Sequence, residues 1–211
     1  MKEKPVDRRT LRTKKLLRQA LVELMEEHGL ERITVSQLTE RADVNRGTFY
    51  LHYKDVTDLL QQIQEEVLGK LSEIGDEIDV RDLMRAAERD EPYQAIVKIL
   101  ELWQRNADFC GLMLGPRGDP SFVLRVKGLM QAKLFNKLSD MIPPEQQDKL
   151  HVPREYLIAF VSSANVGVLQ HWFASGCRQT PREVALIMTR LINYGPLAST
   201  GLVKSGGSSK P

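Results

Sequence analysis

Between Val44 and Leu60 the sequence reads VNRGTFYLHYKDVTDLL, which gathers an arginine, a glycine, two tyrosines, a histidine and a lysine into one short stretch. Three settings account for that density of donors and cations: ordinary solvated surface, an active site, or a surface shaped to touch a polyanion. Catalysis finds little support. His28, His52, His151 and His171 show no metal-ligand spacing, there is no GxSxG or phosphate-binding glycine loop, and the carboxylates are scattered. Cys110 and Cys177 stand far apart without CxxC or Cys/His spacing, which argues against a disulfide framework or a zinc site and favours inert thiols over a redox sensor. No catalytic residue, metal or cofactor is expected.

Placed on a helix, the residues from Arg46 to Tyr53 separate by face. Phe49 and Tyr53 stand at i and i+4 and point together toward Leu38, Val44 and Leu60, as core residues do. Arg46, Tyr50 and Lys54 share the same spacing on another face, polar and cationic, with Gly47 and Thr48 beside Arg46 at the helix start. Charge along the chain agrees with an anionic partner for this end. The net charge is only +2, yet residues 1–54 carry 12 Lys/Arg against 8 Asp/Glu, and eight of those basic residues lie between Met1 and Arg18.

The elements that position these groups are helical. Leu17, Leu21 and Leu24 form an apolar stripe that Gly29 stops. Thr34 opens a T-x-x-Q capping box with Gln37, so a second helix is expected from about Val35 to Ala42. ADVN is a tight turn, Asn45 caps a third helix from about Arg46 to His52, and Asp55 caps a fourth with Asp58 in its first turn. That fourth helix carries a ladder of Leu60, Ile63, Val67, Leu71, Ile74 and Ile78 and reads as a rigid connector over 55–78. Further helices are expected over Tyr93–Ala107, Phe122–Met141, Arg154–Ser175 and Arg182 to about Tyr194, punctuated by GPRGDP, PPEQQDKLHVP and SGCRQTP. Nothing alternates with period two. The class is all-α, and only KSGGSSKP, residues 204–211, reads as a disordered tail.

Two short helices joined by a tight turn make a helix-turn-helix, whose second helix enters the major groove of DNA. The side chains suit that task. Arg46 can hold guanine O6 and N7, the methyl of Thr48 can meet a thymine methyl, and Gly47 lets the backbone come close. Tyr50, His52 and Lys54 reach toward phosphates, and the helix starts at Val35–Ser36 and Val56–Thr57 present free N–H groups to them.

The stretch LERITVSQLTERADVNRGTFYLHYKDVTDLL closely resembles the DNA-binding motif of the TetR family of bacterial transcriptional regulators, over about residues 10–70. Departures are mild: Thr39 where the family usually has alanine, Asp43 where glycine is common, and Tyr53 where phenylalanine is common. Asp43 matters most, since glycine in that turn often adopts positive φ, which Asp tolerates better than most residues. The resemblance implies an Ω-shaped homodimer of about nine helices per chain, reading double-stranded DNA at a pseudo-palindromic operator through Thr34, Ser36, Gln37, Asn45, Arg46, Gly47, Thr48, Tyr50, His52 and Lys54. It implies a DNA-binding domain over 1–53 and a regulatory and dimerisation domain over 54–203, with a small-molecule effector whose binding releases DNA. The cytoplasm is the expected location.

From Tyr156 to Cys177 there is no Asp, Glu, Lys or Arg, enough length to cross a bilayer. Ser162, Ser163, Asn165, Gln170 and His171 argue instead for a buried soluble helix, and no membrane partner is expected. Ala159, Ser163 and Gly167 make a groove of small residues beside a ridge of Phe160, Ala164, Val168 and Trp172, and a helix apolar nearly all round is expected to be buried nearly all round. With Val184, Ile187, Met188, Leu191 and Ile192 of the last helix it would form the dimer interface, the alternative being an intrachain core helix. Trp103, Phe109, Met113, Phe122, Met130, Asn165, His171 and Trp172 are the candidates for a ligand pocket, though aromatics and methionines at helical spacing also serve as core. Three functions compete: a ligand-released dimeric repressor, a DNA-binding activator or adaptor governed by a protein co-effector, and a helical enzyme, the last lacking any catalytic constellation.

Overall fold

The computed structural model of the chain describes residues 8–116, 118–142 and 150–200, and these divide into two compact units, one ending at Val67 and the other beginning at Leu68. Every element among them is helical. The tail at 204–211 and the first seven residues of the basic N-terminal segment lie outside the described residues.

The first unit holds α1 (Arg8–His28), a 3-10 turn (Leu30–Arg32), α2 (Val35–Arg41), α3 (Arg46–Tyr50) and the first half of α4 (Val56–Asp76). The basic residues from Arg8 onward are therefore the opening turns of α1. Gly29 ends α1 at φ 76°, a left-handed conformation that glycine adopts without steric cost. Leu17 and Leu21 of α1, Leu38 of α2, Phe49 of α3 and Leu59 of α4 are fully buried together with the neighbouring Leu24 and Met25, so the predicted apolar stripe is the core of this unit. Arg41 ties α2 to α1. Its guanidinium donates to both carboxylate oxygens of Glu27 at 2.9 Å and to Glu23 at 3.3 Å, and this arginine holds the Glu27 carboxyl below its ordinary range.

The second unit continues α4 and adds α5 (Val80–Glu88), α6 (Gln94–Arg105), α7 (Ala107–Leu114), α8 (Pro120–Met141), α9 (Arg154–Ala174) and α10 (Pro181–Ala198). Ten α-helices stand among the described residues, near the nine or so that the resemblance implies and two more than the eight placed along the sequence. One addition is α5, capped by Asp79, whose carboxylate accepts from the N–H groups of Arg81 and Asp82 at 2.7 and 3.2 Å. The other comes from the expected helix Tyr93–Ala107, which breaks at Asn106 (φ −117°, ψ 25°). The Asn106 amide donates to Leu102 O at 2.7 Å and satisfies a carbonyl that a continuous helix would have bonded by backbone.

A set of side chains fastens α10 to the α5–α6 region. Arg190 pairs bidentately with Asp90 at 2.7 and 2.6 Å, and the Tyr194 hydroxyl donates to Ala87 O at 2.7 Å. Thr189 is wholly buried: its hydroxyl donates to Ala185 O at 2.7 Å and accepts the Tyr93 N–H at 3.1 Å. Gly195, at φ 73°, breaks α10 before Pro196, close to the expected end at Tyr194.

Helix α9 is long and apolar enough to cross a membrane by length and composition, but only 28% of that window is buried inside the chain. The expectation of burial on nearly all sides is corrected accordingly. Ile158, Ser162, Val166, Leu169 and Trp172 face inward, whereas Tyr156, Phe160, Ser163, Ala164 and Gly167 lie on a side that the chain itself leaves open.

Candidate nucleic-acid interface

Local hydrogen bonds build the α2–turn–α3 geometry. The Thr34 hydroxyl accepts the Gln37 N–H at 3.3 Å, and the Gln37 carboxamide oxygen accepts the Thr34 N–H at 2.9 Å, the reciprocal box expected from T-x-x-Q. Because the Thr34 hydroxyl also donates to that Gln37 oxygen at 2.8 Å, only the amide nitrogen of Gln37 is left to meet an outside acceptor. Thr39 is buried where alanine is usual, and its hydroxyl is satisfied by Val35 O at 2.8 Å, which removes the cost of placing it there.

The turn between the helices depends on Asp43, at φ 51°. This is the left-handed conformation anticipated for it, and the Val44 N–H closes the turn onto Thr39 O at 3.0 Å. Asn45 then caps α3 by accepting the Gly47 N–H at 2.7 Å. The helix is shorter than the expected Arg46–His52: it ends at Tyr50, with Leu51 still in the right-handed helical region (φ −70°, ψ −20°). His52 and Tyr53 both donate their N–H groups to Phe49 O, so the chain bends away one turn after the core contact.

Phe49 and Tyr53 are buried, and their rings lie 5.6 Å apart. Burial raises the Tyr53 phenol above its ordinary pKa, with Glu66 and Asp58 adding to the effect, so it stays neutral through physiological pH. After α3, the Lys54 N–H donates to Asp58 at 2.8 Å, and Asp55 caps α4 by accepting the Asp58 N–H at 2.8 Å. The Lys54 and Gln62 donors hold the Asp58 carboxyl below its usual range.

Of the expected contact residues, Thr34, Ser36, Gln37, Asn45, Arg46, Gly47, Tyr50 and Lys54 are exposed, and Thr48 and His52 are half-buried. They occupy one connected α2–α3–α4 segment of the first unit. The two arginines differ in kind. Arg41 spends its charge on Glu23 and Glu27, whereas Arg46 makes no ion pair or side-chain hydrogen bond among the described residues. Selecting residues by polar type passed over Leu51, which is 78% exposed. Counting helix turns from Phe49 would have found it.

In the second unit, most of the expected pocket residues are core. Trp103, Phe109, Met113, Phe122 and Trp172 are close-packed core, with the Phe109 and Phe122 rings edge-on at 6.0 Å and the Trp172 indole donating to Gln179 O at 2.8 Å. Met130 and Asn165 are half-buried and His171 is exposed. Trp103 is buried, and its indole N–H lacks an acceptor among the described residues. A cleft of about 410 Å³ lies elsewhere, lined by Gln131, Ala132, Phe135, Arg154, Glu155 and Ile158. Of the expected interface residues, Ala159, Phe160, Ser163 and Gly167 of α9 and Ile187 of α10 are exposed, and Leu191 is half-buried. Val184, one turn before Ile187, is 3% exposed and packs into its own chain.

Comparison with known proteins agrees with this construction. The family described as "Bacterial regulatory proteins, tetR family" matches residues 17–63, and the "Transcriptional regulator C-terminal region" matches residues 90–194. The HTH-type transcriptional regulator YxbF of Bacillus subtilis (strain 168) is 24% identical over 185 residues, or 87% of this chain. The chain spans about half that relative's length, 45%. A TetR transcriptional regulator from Streptococcus agalactiae 2603V shares the fold at a TM-score of 0.59, with 23% identity, 88% of this chain and 96% of that one covered. The regulator FadR of Bacillus subtilis, solved with stearoyl-CoA, does so at 0.58, with 16% identity over 86% and 98% of the two chains. With both family patterns falling on the two units and the helix-turn-helix built as its motif requires, the chain belongs to the TetR family of bacterial transcriptional regulators, and its N-terminal helix-turn-helix is a DNA-binding element rather than part of an enzyme.

Proposed function

We propose that the chain is a dimeric repressor that acts in the cytoplasm, reads a pseudo-palindromic operator through α2 and α3, and is released from it by an effector. The observation that carries the reading is the pairing of charges on the head: Arg41 is neutralised within the protein, while Arg46 is unpaired among the described residues at the start of a capped helix, beside exposed Tyr50 and Lys54. A free guanidinium there suits bidentate contact with guanine, and the neighbouring tyrosine and lysine suit phosphates. In this reading residues 1–53 serve as the DNA-binding domain and 54–203 as the regulatory and dimerisation domain.

Dimerisation rests on the open face of α9 with Ile187 and Leu191 of α10, an apolar surface that a second copy would cover. For the effector, the orphaned Trp103 indole N–H supports a small molecule with a hydrogen-bond acceptor. The FadR relative with its stearoyl-CoA gives such a molecule a precedent. The close packing of Phe109, Met113 and Phe122 favours a second reading, in which a protein co-effector governs the same DNA-binding chain as an activator or adaptor.

The test is selection of random DNA by the purified protein at near-physiological salt. A two-fold palindrome with half-sites about one helical turn apart, roughly 34 Å, is expected. Weak, salt-sensitive retention with no motif would overturn the operator-reading proposal. A stoichiometric protein partner recovered without any small-molecule thermal shift would replace the effector by the co-effector.

A further inference from the structure

The geometry points to Leu51 as a specificity-determining residue that reads the 5-methyl group of a pyrimidine in the major groove. The inference rests on the DNA-reading role of α3 proposed above and adds to it a contact by an apolar side chain. In an α-helix successive residues turn by about 100°. Phe49 and Tyr53, both buried, fix the direction of the core, and counted from the line between them Leu51 lies about 180° away and Gly47 about 140°. Tyr50 and His52 fall on the two flanks, about 80° from that line. The exposures follow this order: Leu51 is 78% exposed and Tyr50 52% exposed, while His52 is half-buried. The side of α3 farthest from the protein is thus occupied by a glycine and, one turn later, a leucine.

Single exposed leucines are ordinary on protein surfaces. Leu51 differs in position and degree. It is the most exposed large apolar side chain among the described residues, and the Leu51 backbone is still helical, so its direction is that of α3. At Gly47 the only neighbour that an added Cβ would meet is the capping Asn45 Oδ1 at 3.1 Å, so the outer side of this turn is bare backbone. A helix that presents bare backbone at one turn and an isobutyl group at the next can approach the groove floor closely and set a branched apolar group against it.

Base edges in the major groove offer one apolar feature, the C5-methyl of thymine, and 5-methylcytosine carries the same group at the same place. Arg46 and Leu51 are five residues apart, about 7.5 Å along the helix and about 140° around it, so they reach different base edges. The donor and acceptor contacts of Arg46 and the methyl contact of Leu51 therefore supply separate parts of each half-site.

The test uses the full-length protein and the site recovered by random selection. Each thymine of the site is replaced by deoxyuridine, and each cytosine by 5-methylcytosine, and the affinities of the wild type and Leu51→Ala are measured. One position per half-site should lose about fourfold with uracil, the worth of one buried methyl group, and about sixteenfold when both half-sites are changed. Leu51→Ala should melt as the wild type does and show no such loss. If the preferred base is 5-methylcytosine, the sensitive position is a cytosine whose methylation strengthens binding by the same factor. A site insensitive to both changes overturns the role of Leu51 while leaving operator reading intact, as does a variant that keeps the sensitivity. Failure to select any site overturns operator reading and this contact together. Base substitution on the wild type keeps the proposal testable even if Leu51→Ala fails to fold.

Discussion

Arg46 offers the sharpest test of the DNA-reading face. It is the first residue of α3, exposed and without an ion pair or side-chain hydrogen bond among the described residues, so removing it breaks nothing in the folded head. Arg46→Ala should therefore melt as the wild type does. A bidentate arginine–guanine contact contributes about 1–3 kcal/mol of discrimination, and the proposed two-fold operator meets two copies, so the loss should be about 2–6 kcal/mol, roughly 30-fold at the low end. Single-base variants of the operator should lose less at the position Arg46 reads, which relaxes the preference there. Arg46→Lys keeps the charge and discards the planar fork, so it should retain the salt dependence while losing discrimination. The assay is a titration of operator and single-base variants at several salt concentrations. If Arg46→Ala weakens all sequences equally and reduces the log–log salt slope by about one per half-site, Arg46 grips phosphate and the assignment to base readout is wrong.

Further outcomes follow from the same geometry. Thr189→Val should destabilise the C-terminal unit by about 1–3 kcal/mol, because it leaves the buried Tyr93 N–H without an acceptor, whereas Thr189→Ser keeps both bonds and loses about 1 kcal/mol; urea unfolding showing the reverse order would refute the role given to that hydroxyl. Asp58 has a folded pKa below its ordinary value, so its contribution is complete above about pH 4 and is lost as pH falls through the lowered value. Asp58→Asn should flatten that acid limb of head unfolding, and parallel pH profiles would exclude it. Phe160→Glu, at a position that is exposed in the single chain, should leave helix content unchanged and raise the dimer dissociation constant by about a hundredfold or more, two phenylalanines being lost per dimer. An unaltered sedimentation profile would move the interface elsewhere.

What the sequence made legible was local. Thr34, Asn45 and Asp55 are caps because the groups they bond lie two or three residues away, and Asp43 takes the left-handed turn because its neighbours demand it. The two faces of α3 followed from a spacing of four. Helix α5 was missed because the ladder of α4 continues smoothly to Ile78, which hides the capping Asp79 behind it. The break at Asn106 was missed because apolar residues continue on both sides of it, and one side-chain bond to Leu102 decides the matter. The state of α9 was hardest to read. Its composition says that the helix avoids water, but not whether its own chain or another provides the cover, and of Val184 and Ile187, one turn apart in the expected interface, the first is buried in its own chain and the second is 42% exposed.

The open side of α9 bears on how such a regulator responds to its own abundance. In the proposed dimer, where two copies close that face and two heads meet one operator, chains below the dimer dissociation constant are mostly single, and the dimer population grows with the square of their concentration. Operator occupancy then rises and falls more steeply than protein level. A modest change in synthesis or proteolysis of this chain would switch its target, even with no change in effector.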